Sequence, residues 1–326
     1  MPEAKQTSKP EPSRGKSRAG AKKGEKRVVP TRCGFVAIIG APNAGKSTLV
    51  NCLVGTKVSI VSHKVQTTRA RLRGIAIEGD TQIVLVDTPG IFRPKRRLDR
   101  AMVDAAWGGA READIVAFLI DAAKGLDEES EAILKGLAEL KLPRILVLNK
   151  IDRVEKPALL ALTADLTARL PFDAVFMISA LDGDGVADLK AYLAAAMPPG
   201  PWHFPADQVS DAPMRVWAAE VTREKIYHRL HDELPYASTV ETTDWKTLKD
   251  GAVRIEQTIY VERDSQKKIV LGAGGRTIKE ISMQARQEIA EALGVPVHLF
   301  LFVKVRDNWA DDPERYREMG LEFPKS

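Results

Sequence analysis

The chain of 326 residues is poor in cysteine and in long apolar runs. Its only two cysteines, Cys33 and Cys52, both fall in apolar stretches, so we expect buried thiols in a reducing compartment and not a disulfide framework. No run approaches the ~18 consecutive apolar residues that a membrane-spanning helix needs, and no apolar segment follows the basic N terminus as in a secretory signal. These absences predict a cytoplasmic protein.

An excess of charge of one sign is also missing outside the N-terminal segment. The formal net charge is +5, but residues 1–30 hold nine basic and three acidic residues, which leaves 40 basic and 41 acidic residues for the rest. Residues 1–30 also contain almost nothing apolar, so they cannot offset the entropy of ordering and are predicted to be disordered. This extension either holds RNA or anionic lipid loosely or only keeps the protein soluble.

Continuous apolar runs dominate residues 33–197. Five of them, at 35–39, 82–86, 115–120, 145–148 and 175–178, lack polar alternation and are separated by helical patterns. Such runs indicate parallel strands that are covered on both faces. The predicted fold class is therefore α/β, a doubly wound and mostly parallel sheet that binds its ligand at the carboxyl ends of the strands.

A proline-rich segment separates this part from a smaller one. Residues 198–205 hold four prolines, which neither a helix nor a central strand tolerates. Beyond it the patterns predict a helix at 214–231, strands at 237–243 and 252–262, two helices interrupted by Gly272-Ala-Gly-Gly275 and a strand at 297–305, which form a smaller α+β unit. The expected division is 1–30, 31–197, 198–212, 213–310 and a C-terminal tail at 311–326.

The first run is followed by a phosphate-binding motif. Gly40-Ala-Pro-Asn-Ala-Gly-Lys-Ser47 matches GxxxxGKS between a strand and a helical stretch, the context that this motif requires. Its glycines let backbone N–H groups face phosphate, Lys46 reaches the β and γ phosphates, and the Ser47 hydroxyl ligates Mg²⁺. The alternative that this motif matches by chance is given little weight.

Two further motifs end strands of the same sheet. Asp87-Thr-Pro-Gly90 sets a carboxylate where Mg²⁺ would lie, with Asp87 acting through water and the Gly90 N–H on the γ-phosphate, so that hydrolysis releases the loop. In Asn149-Lys-Ile-Asp152, the Asp152 carboxylate can accept two hydrogens that guanine offers and adenine does not, which argues against an ATP-dependent kinase. Ser179 and Ala180 then supply a backbone N–H to the guanine oxygen.

The complete set predicts a GTP-hydrolysing enzyme. The residues expected to form the catalytic set are Asn43, Lys46, Thr68, Asp87 and Gly90. The residues expected to bind GTP or GDP are Gly40, Ala41, Pro42, Asn43, Ala44, Gly45, Lys46, Ser47, Thr48, Asp87, Thr88, Pro89, Gly90, Asn149, Lys150, Asp152, Ser179 and Ala180.

Gln66-Thr-Thr-Arg69 resembles the first switch of translation-factor GTPases, in which one threonine ligates Mg²⁺. Thr68 is the first choice and Thr67 the second, and a threonine-rich turn before the next strand is the alternative. Where Ras-like GTPases carry a water-orienting glutamine this chain has Ile91, so hydrolysis must be arranged differently. Asn43 matches the asparagine that helps to hold a K⁺ ion in potassium-activated relatives, which predicts slow turnover that rises with K⁺.

Both halves together resemble the Era family of bacterial ribosome-assembly GTPases over residues 35–309. The second half contributes a GxxG loop between two helices, and its order of helices and strands is typical of bacterial KH domains. It also contributes motifs that are more specific than a GxxG loop alone. These motifs are Arg223-Glu-Lys225, Glu233-Leu-Pro-Tyr236, Glu262-Arg263, Gln266-Lys-Lys268, Pro296-Val-His-Leu299 and Val303-Lys-Val-Arg-Asp-Asn-Trp-Ala-Asp-Asp312.

The resemblance implies that the KH domain binds the 3′ end of 16S ribosomal RNA while the small ribosomal subunit matures. GTP is expected to favour the RNA-binding arrangement of the domains, and a monomer in loose peripheral contact with the inner membrane is expected. Family members usually place a lysine in the middle of GxxG, where this chain has Ala-Gly. The expected RNA-binding residues are Lys268, Gly272, Ala273, Gly274, Gly275, Arg276 and Lys279. A second domain that binds protein or lipid is the competing hypothesis.

Histidines and Trp309 give weaker signals. None of the five histidines has metal-like spacing with the cysteines, and no ligand role is assigned to them. His228 and His231 are expected to share a helical face that is solvated or near RNA. Trp309 either stacks on a base or packs against the edge of its domain, of which packing is the favoured alternative.

Overall fold

Apolar runs without polar alternation form the inner strands of a six-stranded sheet. The protein is described by a computed structural model for residues 30–64, 67–69, 71–231 and 233–324, so residues 1–29 of the extension, predicted to be disordered, and Gln66 lie outside the described residues. The strands are β1 (Arg32–Ile39), β2 (Leu72–Glu78), β3 (Thr81–Asp87), β4 (Ile115–Asp121), β5 (Arg144–Asn149) and β6 (Ala174–Ile178). Their order is β2-β3-β1-β4-β5-β6.

Five strands of this sheet run parallel, and the edge strand β2 runs antiparallel to β3. Helices cover both faces, which explains why β1, β3 and β4 are apolar at successive positions. The helices α1 (Lys46–Val54) and α5 (Val186–Ala196) pack on one face, and α2 (Arg97–Glu112), α3 (Glu128–Ala138) and α4 (Lys156–Arg169) pack on the other. The prediction of a doubly wound, mostly parallel sheet is confirmed.

A second sheet of three strands follows the proline-rich segment. Its elements are α6 (Met214–Arg229), β7 (Ser238–Thr247), β8 (Val253–Val261), α7 (Asp264–Leu271), α8 (Arg276–Leu293), β9 (Val297–Val305) and α9 (Pro313–Glu318). The strand β8 pairs antiparallel with β7 and parallel with β9. Side chains alternate along β9, where Val297 and Leu299 are buried and Phe300 and Phe302 are exposed, as expected of a sheet with helices on one face.

One expectation about this part is wrong. The helix predicted over 214–231 ends at Arg229, because Leu230 adopts an extended backbone with φ −98° and ψ 155° and turns its side chain into the core. His231 therefore lies beyond the helix, and it shares no helical face with His228. No helix in the described ranges is long and apolar enough to cross a membrane.

The C-terminal segment packs against the first part of the chain. The side chains of Trp309, Tyr316 and Leu321 form an apolar cluster with Leu98 and Met102 of α2. Trp309 is 1% exposed, and its Nε1 donates a hydrogen bond to the Ala237 carbonyl at 3.0 Å. A buried indole cannot stack on a base, so the packing interpretation of Trp309 is the correct one.

Candidate nucleotide site

The phosphate loop connects β1 to α1, and both of its glycines have no room for a side chain. A Cβ on Gly40 would lie 2.3 Å from the Leu119 carbonyl oxygen. Gly45 has a φ of +101°, and a Cβ there would lie 2.2 Å from the Asn149 Nδ2. Glycine alone combines this backbone conformation with this close approach, so the loop curls around the N terminus of α1, where backbone N–H groups attract anions.

Lys46 is enclosed by this loop. Its Nζ donates hydrogen bonds to the carbonyl oxygens of Gly40 at 3.0 Å and Ala41 at 2.9 Å. Burial lowers the pKa of Lys46 to about 8, while the nearby carboxylate of Asp87 opposes this change. A phosphate group within reach of Nζ would favour the charged ammonium.

Three oxygen-bearing side chains meet beside Lys46. The Ser47 Oγ lies 2.9 Å from the Thr68 Oγ1 and donates to the Asp87 Oδ2 at 2.8 Å, and Thr68 approaches the same oxygen at 3.4 Å. Burial raises the pKa of Asp87, and its Oδ1 has no hydrogen-bond partner within the described part of the chain. Hydroxyl and carboxylate oxygens with an unused lone pair fit Mg²⁺, which prefers hard oxygen ligands.

The two threonine candidates differ in position. The Thr67 hydroxyl donates to the Lys64 carbonyl at 2.7 Å, away from the other oxygens. Thr68 is 7% exposed and points to Ser47 and Asp87. The geometry therefore favours Thr68 over Thr67 as a metal ligand.

The Asp87-Thr-Pro-Gly90 turn lies against the phosphate loop. The Thr88 hydroxyl donates to the Ile38 carbonyl at 2.7 Å, and the Ile91 N–H donates to the Gly40 carbonyl at 3.1 Å. A Cβ on Gly90 would lie 3.0 Å from backbone atoms of Pro42. The Ile91 side chain is buried, at 6% exposure, and carries no group that could orient water.

Side chains from β5 and the loop after it connect the phosphate end of the site to the predicted base end. Asn149 donates from Nδ2 to the Ala44 carbonyl at 2.8 Å and accepts the Ala180 N–H at Oδ1 at 2.9 Å. The Lys150 Nζ donates to the Asn43 carbonyl at 2.7 Å. Ser179 follows β6, and its hydroxyl donates to Asp182 at 2.8 Å.

One residue of this end was missed in the sequence. The Lys150 Nζ also contacts the Asp121 Oδ2 at 2.6 Å, and Asp121 is 8% exposed. Asp121 ends β4 next to Asn149 in the register of β5. Its place at the carboxyl end of an apolar run, like that of Asp87, was the signal that could have identified it.

Asn43 lies in the left-handed region, with a φ of +63°. Its side-chain amide donates to the His63 carbonyl at 2.8 Å, so the phosphate loop is tied to the segment that precedes Thr68.

A cavity of about 210 Å³ runs between these loops. Residues from all the predicted nucleotide motifs line it, among them Asn43, Lys46, Ser47, Thr68, Asp152 and Ala180. Asp152 keeps a partly exposed side chain, at 32%, with Arg153 3.5 Å away, so its carboxylate can receive a ligand. The cavity joins an anion-binding end to a carboxylate end, as a nucleotide requires.

The predicted RNA-binding residues lie elsewhere, in the second sheet's half of the chain. Gly272, Gly274 and Gly275 have φ values of +75°, +61° and +76°, and a Cβ on Gly272 would lie 2.2 Å from the Thr277 Oγ1. The turn therefore depends on glycine. Its exposed neighbours include Lys268, Ala273, Gly274, Arg276 and Lys279, which leaves basic side chains and open backbone beside each other.

Two known protein families match parts of the chain. Residues 35–150 match the family of 50S ribosome-binding GTPases, and residues 233–310 match the KH domain family. The GTPase Era of Bradyrhizobium sp. (strain BTAi1) is 69% identical over 295 residues, which cover 90% of this chain and 96% of that protein. The GTPase Era of Brucella suis is 66% identical and covers 95% of this chain and 99% of its own length.

Solved structures agree with this similarity. A crystal structure of Era in complex with MgGDPNP and nucleotides 1506–1542 of 16S ribosomal RNA has a TM-score of 0.84 and 38% identity, covering 89% of this chain and 99% of that one. A variant of Aquifex aeolicus Era bound to GDP·AlF4⁻ has the same TM-score, identity and coverage.

Proposed function

The chain belongs to the Era family of GTPases, and from that premise we propose that it binds GTP with Mg²⁺, hydrolyses it to GDP and phosphate, and binds 16S ribosomal RNA near its 3′ end as the small ribosomal subunit matures. The observation that carries the first part is the meeting of Ser47, Thr68 and Asp87 beside the buried Lys46. The residue bounds given above are proposed for the two domains, as a GTPase domain at 31–197 and a KH domain at 213–310.

In this proposal each motif acts on one part of the nucleotide. The phosphate-loop N–H groups and Lys46 hold the β and γ phosphates, and the Gly90 N–H holds the γ-phosphate. Ser47 and Thr68 would ligate Mg²⁺ directly and Asp87 through water, and the ion would neutralise charge on the phosphates. Asp152 selects guanine, while Asn149 and Lys150 brace the loops that carry the base.

Hydrolysis is proposed to use a monovalent cation in place of a glutamine or an arginine finger. Ile91 carries no polar group, so positive charge at the phosphates has to come from another source. Asn43 is proposed to help hold K⁺ there. Turnover should be several-fold faster in K⁺ than in Na⁺ at equal ionic strength, and an Asn43→Ala variant should lose this difference. Equal rates in both salts would contradict the proposal.

The RNA part is supported by the GxxG turn and by the structural relative that holds 16S ribosomal RNA. Ala273 and Gly274 offer open backbone to phosphates, and Lys268, Arg276 and Lys279 supply charge beside it. Because the turn itself lacks a lysine, stacking and hydrogen bonding to bases are expected to add to salt-sensitive phosphate contacts. The basic extension can compensate, so removal of residues 1–30 should weaken RNA binding.

Crosslinking to purified small ribosomal subunits tests this part. The expected product is a crosslink between the GxxG turn and the 3′ end of 16S ribosomal RNA, reduced in an Arg276→Ala, Lys279→Ala double variant. The matched control is Lys156→Ala, an exposed lysine at the start of α4 on the other domain. Crosslinks to protein or lipid alone would instead favour the competing hypothesis.

We further propose a cytoplasmic monomer with weak peripheral contact to the inner membrane. This rests on the family resemblance alone. Sedimentation of the protein with and without anionic vesicles measures both properties, and a stable dimer or the absence of any vesicle binding would contradict them.

A further inference from the structure

The motif Arg223-Glu-Lys225 has no part in the proposed nucleotide or RNA contacts. It lies in the middle of α6, the first helix of the second domain. Arg223 and Glu224 contact the chain between α1 and β2, which we call the first-switch segment and define as the described residues among 57–69, and Lys225 pairs with Glu224. The motif and this segment are separated by more than 150 residues in sequence, so their contact joins the two domains.

Arg223 reaches the backbone next to the predicted magnesium ligand. Its Nη2 donates hydrogen bonds to the Thr67 carbonyl and to the Glu220 carboxylate, and its Nε donates to Glu220 at 2.8 Å. The guanidinium lies 5.1 Å from the centre of the Tyr227 ring, and the side chain is 2% exposed. The planar guanidinium is held by the Glu220 carboxylate and the Tyr227 ring, so it has few accessible orientations. The hydrogen bond from Nη2 therefore fixes the position of the Thr67 carbonyl.

Glu224 contacts the start of the same segment. The Glu224 Oε1 accepts the Val61 N–H at 2.8 Å, and its Oε2 accepts Lys57 at 2.6 Å and Lys225 at 2.9 Å. Both lysines also pair with Glu288 of α8. This cluster fixes the segment some residues before Thr68.

Arg69 fixes the other side of Thr68. It is 3% exposed and donates to the carbonyl oxygens of Ser238 at 2.8 Å and Tyr236 at 3.0 Å. Its guanidinium also lies 5.6 Å from the centre of the Trp309 ring. Thr68 therefore stands between a carbonyl and a side chain that are both bound to the second domain, while its own hydroxyl faces Ser47 and Asp87.

We propose that Arg223 is a positioning residue for GTP binding and hydrolysis, which holds the Thr67 carbonyl so that the Thr68 hydroxyl stays at the magnesium ligand position. This rests on the proposed function, in which Thr68 ligates Mg²⁺, and adds that Thr68 holds this position only while the γ-phosphate is present. An interaction favours one nucleotide only if it differs between the two states. Arg223 should therefore strengthen the binding of GTP and leave that of GDP unchanged.

The test compares Arg223→Met with Arg215→Met on the full chain. Arg215 lies on the same helix, is exposed, and donates to the carbonyls of Thr242 and Thr243 within its own domain. Affinities for fluorescent GDP and for a non-hydrolysable GTP analogue are measured against Mg²⁺ concentration, together with kcat and KM. Loss of a hydrogen bond from a charged donor predicts roughly 10-fold weaker binding of the GTP analogue by R223M, a lower kcat, and unchanged GDP affinity. R215M should match the unmodified chain.

A double-mutant cycle separates positioning from a structural role. If Arg223 acts through Thr68, then R223M should add no further loss of GTP-analogue affinity to a Thr68→Ala chain. Losses that add up, or equal losses for GDP and the GTP analogue, would overturn the proposal. If R223M shows no folded state in a thermal melt, the test uses Arg223→Lys. This variant keeps the buried positive charge but not the planar guanidinium, so its loss of GTP-analogue affinity should be intermediate. A chain that binds no GTP before any substitution would refute the proposed function itself.

Discussion

Raising the pH from 7.5 to 8.5 should weaken nucleotide binding through a single side chain. The Lys46 Nζ is enclosed by the carbonyl oxygens of Gly40 and Ala41, and burial lowers its pKa to about 8. Without nucleotide, a rise in pH across this value removes the proton. Phosphate oxygens at Nζ would return the pKa to its ordinary value of 10.5 or higher, because a neighbouring negative charge favours the ammonium.

The size of the effect follows from these two pKa values. At pH 8.5 the protein should take up about three quarters of a proton for each nucleotide bound, and its affinity should be roughly threefold lower than at pH 7.5. In this range the guanine N1 stays mostly protonated and the phosphates stay mostly ionised. The lowered pKa of Lys46 also affects the stability of the nucleotide-free protein. The pKa of Lys46 is lower in the folded than in the unfolded chain, so the free energy of unfolding of the nucleotide-free protein should rise between about pH 8 and 10.5.

Titration calorimetry of GDP at pH 8.5 in two buffers with different ionisation enthalpies measures the proton uptake directly. A Lys46→Met variant, studied at higher protein concentration, is the control and should take up none. If the unmodified chain takes up no proton, or if both chains take up the same amount, the assignment of the proton to Lys46 is wrong.

Three substitutions and one control variant test other parts of the site and fold. Asp152→Asn should shift the preference from guanine to xanthine nucleotides in competition binding, because an amide can donate to the 2-oxygen of xanthine. Unchanged GTP affinity would show that Asp152 does not bind the base. Gly90→Ala should slow single-turnover hydrolysis by roughly 10-fold or more with GDP binding retained, because the added Cβ would lie 3.0 Å from the Pro42 backbone. A normal rate would contradict this close approach of Gly90 to Pro42. Trp309→Ala should lower the free energy of unfolding by about 3 to 5 kcal/mol in urea, whereas Phe302→Ala, 47% exposed, should change it by about 1 kcal/mol or less.

Much of the fold could be predicted because its signals are local. Runs such as residues 115–120 are apolar at every position and are bounded by turns, and the strand found there, Ile115–Asp121, extends the run by one residue. The phosphate loop needs glycine at φ values and contacts that no other residue allows, as Gly45 illustrates. Sequence alone therefore indicates these elements and the edge of the sheet where their loops meet.

Contacts between distant parts of the chain could not be predicted in this way. Thr67 and Arg223 meet across 156 residues, and neither has a sequence neighbour that indicates the other. The end of α6 at Arg229 depends on Leu230 finding a place in the core, which helical periodicity does not report. Trp309 is buried because α2 of the first domain lies beside it, a long-range contact that the sequence does not show, although the sequence alone already favours packing over stacking.

We propose that a GTP-dependent switch on the first domain controls RNA binding by the second. The most direct test is a titration of an RNA fragment from the 3′ end of 16S ribosomal RNA with the full chain, in the presence of Mg²⁺ and either a non-hydrolysable GTP analogue or GDP. We expect several-fold tighter binding with the GTP analogue, and weak binding of a scrambled fragment in both states. Equal affinity for the two RNAs, or no dependence on the nucleotide, would contradict the account.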